Sequence, residues 1–86
     1  MSTDRPSALE ELEVNEVPDG LIVYDAVRDR VHHLNATASI VFALCDGTHD
    51  IPTIAGVVAA AFGLERPPYA EVQDCVRDFA ERGLLG

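Results

Sequence analysis

The sequence contains no lysine, and its six basic residues, all arginine, face fifteen acidic residues. The formal net charge is therefore −9 at pH 7, with an isoelectric point near 4.4. Proteins that bind nucleic acid neutralise phosphates with clusters of lysine and arginine, and this chain would repel a polyanion. The composition argues against DNA or RNA as a partner. It is compatible with simple solubility or with attraction to a basic peptide or enzyme surface.

Long apolar runs and targeting signals are also missing. No stretch approaches the roughly 18 consecutive apolar residues of a membrane span. Residues 1–6 lack the basic end and the apolar stretch of a secretory signal, so we expect a cytoplasmic protein that does not enter a membrane. With 86 residues, of which 48% are hydrophobic, the chain can form one domain around one core.

Cysteine is scarce and its spacing is uninformative. Cys45 and Cys75 lack the C-x-x-C pattern of a zinc or redox site, and we expect both to be reduced thiols. The adjacent His32 and His33 could be combined with Cys45 and His49 in a metal site. Neighbouring residues of a strand point to opposite faces, however, so the two histidines do not easily bind one ion. We therefore predict no metal ion and no other cofactor.

The residue patterns that indicate catalysis are absent as well. Ser39 lacks the G-x-S-x-G turn of a hydrolase nucleophile, and the glycines do not form a phosphate-binding pattern. Most polar residues fall at predicted caps, turns and exposed helix faces, where structural roles explain them. The sequence therefore predicts a binding module with no catalytic residues.

Three short strands are predicted first. Residues 1–11 are expected to form a flexible tail, so that the domain covers residues 12–86. One strand precedes the Pro-Asp-Gly turn that ends at Gly20, a second covers residues 21–25, and a third covers residues 30–34 after a hairpin connection. Sequential pairing would make an antiparallel meander whose first and third strands are edges with unpaired backbone groups.

Three helices are predicted to follow. Asn35 is expected to cap a first helix, the most buried element, and Asp50 a second helix that ends at Gly63. A third helix is expected over residues 68–82, with a Schellman-type stop at Gly83. The order β-β-β-α-α-α predicts an α+β fold in which the helices pack together and against one face of the sheet.

Two parts of the sequence resemble the PqqD family. Residues 33–38 (HLNATA), continuing to residues 44–47 (LCDG), are similar to its signature segment, and residues 79–85 (FAERGLL) to its end. With the element order, the resemblance covers about residues 12–85. It implies a winged-helix-like fold and a peptide chaperone, the recognition element of natural-product pathways that modify ribosomally synthesised peptides.

The resemblance also implies a binding mode. In the family, the leader region of a precursor peptide adds as a strand to the third strand, in the groove beside the third helix, and is presented to a maturation enzyme. That enzyme would be a radical S-adenosylmethionine (radical SAM) enzyme or a leader peptidase. An alternative keeps the exposed edge but uses it as a general adaptor surface or for homodimerisation.

The expected peptide-binding residues lie on the third strand and on one side of the third helix. They are Arg30, Val31, His32, His33, Leu34, Val72, Cys75, Val76, Asp78, Phe79 and Arg82. Core packing is an equally good explanation for the apolar Val72, Val76 and Phe79, because the same stripe must hold the helix on the domain. For Asp78 and Arg82, which would form a polar rim, the alternative is ordinary solvation of an exposed helix face.

Overall fold

The computed structural model describes residues 5–9 and 11–86 and contains a three-stranded antiparallel sheet followed by three helices. The strands are β1 (Glu13–Val17), β2 (Gly20–Asp25) and β3 (Arg30–Leu34). The helices are α1 (Ala36–Ala43), α2 (Ile51–Phe62) and α3 (Tyr69–Glu81). The predicted α+β class and element order are confirmed.

β2 is the central strand and pairs with β1 on one side and β3 on the other. In this register Val23 lies between Val14 of β1 and His32 of β3. Gly20 opens β2 at a close approach between the two strands, where a Cβ atom would collide with the carbonyl oxygen of Leu34. A side chain at this position would therefore separate the start of β2 from the end of β3.

Local signals set the ends of the helices. The side chain of Asn35 accepts a 2.9 Å hydrogen bond from the backbone N–H of Ala38 and starts α1. The side chain of Asp50 accepts one of the same length from Thr53 and starts α2. Gly63 ends α2 in the left-handed conformation, at φ 64°. These caps occur where the sequence predicts them, and α1 ends at Ala43.

α3 ends in a Schellman motif. The N–H of Gly83 donates to the carbonyl oxygen of Ala80 at 3.0 Å, and the N–H of Leu84 donates to that of Phe79 at 2.9 Å. Gly83 adopts φ 75°, which glycine reaches without the steric penalty of a side chain. Leu84 is completely buried and returns the chain to the core. The predicted stop is confirmed.

α1 occupies the centre of the fold, in contact with β2, β3, α2 and α3, and of the three helices its backbone lies closest to the sheet. The ring of Phe42 on α1 packs edge to face on the ring of Phe79 on α3, with their centroids 5.5 Å apart. α1 is the least exposed of the three helices, with Val41 and Phe42 buried and only Ala36 and Ala43 exposed, although the central strand β2 has no exposed residue. α2 buries four residues. One side of α1 stays partly accessible because it borders a groove.

Residues 6–9 lie against the domain. The N–H of Ala8 donates to the carbonyl oxygen of Cys45 at 2.7 Å, and that of Leu9 donates to Leu84 at 2.9 Å. Pro6 is buried. The flexible tail expected over residues 1–11 stays a prediction, which these contacts of residues 6–9 do not favour. Residues 1–4 and 10 of that segment lie outside the described residues, and the domain boundary at residue 12 stays a prediction.

Candidate functional site

A groove of about 460 Å³ separates the end of β3 and the start of α1 from α3. The Cα atoms of β3 and α3 stay more than 8 Å apart. One wall consists of His33, Leu34, Asn35, Thr37 and Ala38, and the other of Glu71, Asp74, Cys75, Asp78 and Arg82. The groove is long enough to accept an extended segment of several residues, because the α3 wall covers three helical turns, about 16 Å.

The amphipathic character of α3 creates this wall. The groove residues recur at three- and four-residue intervals from Glu71 to Arg82, so they share one helix face. The apolar residues Val72, Val76 and Phe79 point the other way and are 0%, 3% and 1% exposed. Because the core takes the apolar stripe, α3 presents a mainly charged face to the groove.

Acidic groups dominate the α3 wall. Arg82 is its only basic residue, and its Nε lies 3.1 Å from Oδ2 of Asp78. Asp74 forms a 3.6 Å ion pair with Arg77, but both side chains are about 70% exposed. Glu71 has no ion-pair partner within residues 5–9 and 11–86. Exposed pairs contribute little, so the part of the wall nearer the start of α3 remains negative.

Cys75 lies among these carboxylates and contributes the wall's only sulfur atom. Its thiol is half-buried, and both this burial and the nearby charges of Asp78, Asp74 and Glu71 raise its pKa above the ordinary value. A thiol in such a position is neutral at physiological pH and packs as a small apolar group. The groove therefore combines an apolar centre with an acidic rim.

β3 is an edge strand beside the groove. Among the described residues it pairs only with β2, so its outer side retains free backbone N–H and C=O groups. β1 is also an edge, as predicted, but it contacts β2 alone and no helix stands next to it. Only the β3 edge therefore combines unpaired backbone groups with a neighbouring groove wall.

The turn between β2 and β3 is held to the end of α3. The Asp25 carboxylate is 3% exposed and accepts hydrogen bonds from the N–H groups of Val27 (3.1 Å) and Arg28 (3.2 Å). The Arg28 guanidinium lies 3.6 Å from the same carboxylate and donates to the carbonyl oxygen of Gly83 at 2.9 Å. A Cβ atom on Gly83 would collide with this guanidinium. These contacts connect the start of β3 to the end of α3.

The structure divides the predicted site residues into three groups. His33, Leu34, Cys75, Asp78 and Arg82 line the groove. Arg30, Val31 and His32 lie on the edge strand outside its lining; Val31 is 65% exposed, and the buried Nε2 atom of His32 has no hydrogen-bond partner among the described residues. Whether either group contacts a peptide stays a prediction.

The third group lies in the core. Val72, Val76 and Phe79 belong to the hydrophobic core and do not line the groove, and a contact between any of them and a peptide stays a prediction. Val76 borders instead a smaller cavity of about 340 Å³ on the other side of α3, next to Ile51. The core-packing alternative is therefore confirmed for these residues. The physical reason is that α3 has one apolar stripe, and burying it on the domain leaves none for the groove.

Sequence reasoning missed half of the groove lining. Glu71 and Asp74 are not among the residues expected from the sequence, although their spacing from Asp78 and Arg82 places all four on one helix face. Nothing in the sequence shows that Asn35, Thr37 and Ala38 lie beside α3, because that position depends on how the helices pack. Asp25 and Arg28 were also missed; an aspartate at the end of a strand that contains β-branched residues was the available signal.

The candidate metal ligands lie in separate places. His33 Nε2 is 3.3 Å from Asp19 Oδ1, and His49 Nδ1 is 3.0 Å from Asp46 Oδ1. Cys45 is buried, and its thiol donates to the carbonyl oxygen of Val41. Within the described ranges, no three histidine, cysteine, aspartate or glutamate side chains are grouped as a metal site would require. No helix there has both the length and the apolar character needed to cross a membrane.

Comparison with known proteins identifies the family. The chain resembles a solved structure described as TbiB1 in complex with the TbiA(beta) leader peptide, with a TM-score of 0.78 and 18% identity. The match covers 92% of this chain and 93% of that one, and at this identity it shows a common fold. No curated protein matches the chain. The family model described as coenzyme PQQ synthesis protein D (PqqD) matches residues 20–85, from β2 to the end of the Schellman motif, and the chain belongs to the PqqD family.

Proposed function

We propose that this protein binds the leader region of a ribosomally synthesised precursor peptide by strand addition to β3 and presents the precursor to a modifying enzyme. The observation that carries the proposal is the free edge of β3 beside a groove of about 460 Å³. Membership of the PqqD family supports it, as does the common fold with a protein solved in complex with a leader peptide.

Strand addition suits this edge for an energetic reason. Each backbone hydrogen bond contributes about 0.5 to 1.5 kcal/mol net, and four or five of them are largely offset by the cost of ordering a flexible peptide. Side chains in the groove must therefore supply the remaining affinity and the selectivity. The β3 edge has such a groove beside it, whereas the β1 edge has no second wall.

The chemistry of the groove supports binding over catalysis. The side chains of Asp78 and Arg82 form an ion pair with each other. The raised pKa of the Cys75 thiol makes it a poor nucleophile, because the reactive species is the thiolate. The modification chemistry would then belong to a separate enzyme, for which a radical SAM enzyme and a leader peptidase are the two candidates.

Isothermal titration calorimetry can test this function directly. Short open reading frames next to the gene supply candidate precursors, whose N-terminal halves are synthesised as peptides. We expect one of them to bind, and Val31→Pro to weaken binding more than tenfold (a factor of about 10 corresponds to 1.4 kcal/mol) by removing a backbone donor and disturbing β3. Val14→Pro is the matched control, because Val14 is an exposed valine on the opposite edge.

Two results would contradict the proposal. One is that no candidate leader binds, and the other is that both proline variants weaken binding equally while both remain folded by circular dichroism. Light scattering of the protein alone tests the alternative use of the edge. We expect a monomer, because two copies that each carry a net charge of −9 repel each other. A stable dimer that Val31→Pro dissociates would favour homodimerisation.

A further inference from the structure

The charge of the groove is unevenly distributed along α3. Asp78 and Arg82, in the last turns of the helix, pair at 3.1 Å and nearly cancel. Glu71 lies in the first turn, and Asp74 follows one turn later. The partner of Asp74, Arg77, borders the other cavity of α3, so its guanidinium does not neutralise the groove effectively. Two carboxylates therefore make the part of the wall nearer the start of α3 negative.

Burial and the carboxylates of the α3 wall raise the pKa of the Cys75 thiol. After burial, the charges of Asp78, Asp74 and Glu71 are the causes that raise its pKa. These carboxylates therefore act on a group that lies between them in the groove. A cation in the same place would be stabilised by the charges that disfavour a thiolate.

The spacing of alternate side chains along a bound strand is close to the spacing of helical turns along α3. Successive turns of an α-helix are about 5.4 Å apart, and alternate side chains of an extended strand are about 6.6 Å apart. A strand added to β3 would therefore present every second side chain to a new turn of α3. Neighbouring positions along this wall are the acidic pair, Cys75 in the half-buried centre, and the Asp78–Arg82 pair.

We propose, resting on the function above, that the segment bound in this groove carries a lysine or arginine side chain against Glu71 and Asp74 and an apolar side chain two residues away against Cys75. Leu34 and Ala38, which pack against the core, continue the apolar lining at the second position. A carboxylate at the first position would be repelled. The substrate class is thus an extended peptide with a basic and an apolar residue in alternate positions.

Selection from a random peptide library tests the proposal without knowledge of the natural precursor. Displayed peptides of about 12 residues, longer than the groove, are selected on the intact protein and in parallel on Val31→Pro. We expect the wild-type selection to enrich lysine or arginine two positions from an apolar residue. Fluorescence anisotropy then compares the best peptide with versions in which its basic residue is replaced by glutamine or glutamate.

Protein variants locate the effect. We expect the double variant Glu71→Gln/Asp74→Asn to bind the best peptide about fivefold more weakly at low salt, with a smaller difference at high salt. Glu65→Gln/Glu81→Gln is the matched control, because it changes the net charge equally at exposed residues outside the groove lining. Glu71→Lys places a cation beside Asp74 and should remove the preference for the basic peptide over its glutamate version.

The outcomes separate the two proposals. Enrichment of peptides without a basic residue overturns this inference while leaving leader binding intact. An equal effect of the groove and control variants, or no loss when the peptide's own basic residue becomes glutamine, also overturns it. If the wild type enriches no peptide beyond those selected on Val31→Pro, strand addition itself fails, and with it this inference. The substitutions in the peptide test this inference even if a protein variant folds poorly, because they leave the protein unchanged.

Discussion

The guanidinium of Arg28 donates a 2.9 Å hydrogen bond to the carbonyl oxygen of Gly83, 55 positions further along the chain. This contact connects the turn before β3 with the residue that ends α3. The buried carboxylate of Asp25 holds the same turn through two backbone N–H groups. The Cα atoms of β3 and α3 stay more than 8 Å apart, so side-chain contacts set the distance between the two groove walls at this end.

Arg28→Ala should therefore affect both stability and binding. The variant loses the hydrogen bond to Gly83 and leaves the Asp25 carboxylate without its counter-charge. Since the Arg28 side chain is half-exposed, we expect a loss of only about 1 kcal/mol in the free energy of unfolding by urea, together with weaker peptide binding. Arg66→Ala, at an exposed position before α3, is the control and should change stability by less than about 0.5 kcal/mol. Equal losses in the two variants would show that the contact with Gly83 has no role.

Filling the groove should abolish binding without unfolding the domain. Cys75→Trp places a large ring at a half-exposed position in the α3 wall, where a peptide side chain would otherwise lie. We expect affinity to fall more than tenfold (a factor of about 10 corresponds to 1.4 kcal/mol) while the melting temperature changes little. Cys75→Ala, which leaves the groove open and its centre apolar, should bind like the wild type. Unimpaired binding by folded Cys75→Trp would show that the peptide does not enter this groove.

Val72 tests whether the core-facing side of α3 takes part in peptide binding. The side chain is completely buried, so Val72→Ala removes core contacts and should cost about 2 kcal/mol of stability. Peptide affinity of the folded fraction should be unchanged. Val57→Ala, on α2 at 39% exposure, should cost less than about 1 kcal/mol by urea unfolding. A specific loss of affinity in Val72→Ala would mean that Val72 contributes to the binding surface after all.

Alkaline pH should destabilise the protein through Cys45. Burial, with smaller effects from Asp46 and Cys75, raises the pKa of the Cys45 thiol from 9.0 to about 12. The folded state therefore favours the neutral thiol, whereas the unfolded chain ionises from about pH 9. The resulting stabilisation is complete below pH 9 and is lost as the pH rises toward 12.

Urea unfolding between pH 7 and about 10 measures this effect. Cys45→Ala should lower stability at neutral pH but show a weaker decline at alkaline pH than the wild type. The half-exposed Cys75 should react with an alkylating reagent before Cys45 does. Parallel pH profiles for the wild type and the variant would contradict the raised pKa.

Secondary structure was predictable because its signals are local. The residues of β3 agree with the prediction in full, and α2 begins and ends at the predicted Asp50 and Gly63 caps. Each of these features depends on neighbours a few residues away, through a turn, a side-chain cap or a left-handed glycine. The edge position of β3 followed from the same information, because sequential hairpins leave the last strand with one partner.

The groove lining was only partly predictable. Periodicity shows that Val72, Val76 and Phe79 share one side of α3, but it does not show whether that side meets the core or a ligand. The same limit applies to Glu71 and Asp74, whose charge indicates exposure without indicating what lies opposite them. The contacts of residues 6–9 were not predictable for a related reason: their hydrogen bonds go to Cys45 and Leu84, which are distant in sequence.

The sequence by itself determined the order and limits of the strands and helices, the free edge and the acidic character of the chain. Only the tertiary structure decided which side of α3 lies across the groove from β3, and hence that the groove has an acidic wall. It also decided that Arg28 and Gly83 join the turn before β3 to the end of α3. The reason is that hydrogen bonds within turns and helices are local, whereas the rotation of a helix depends on burial of its apolar stripe by residues from the whole chain.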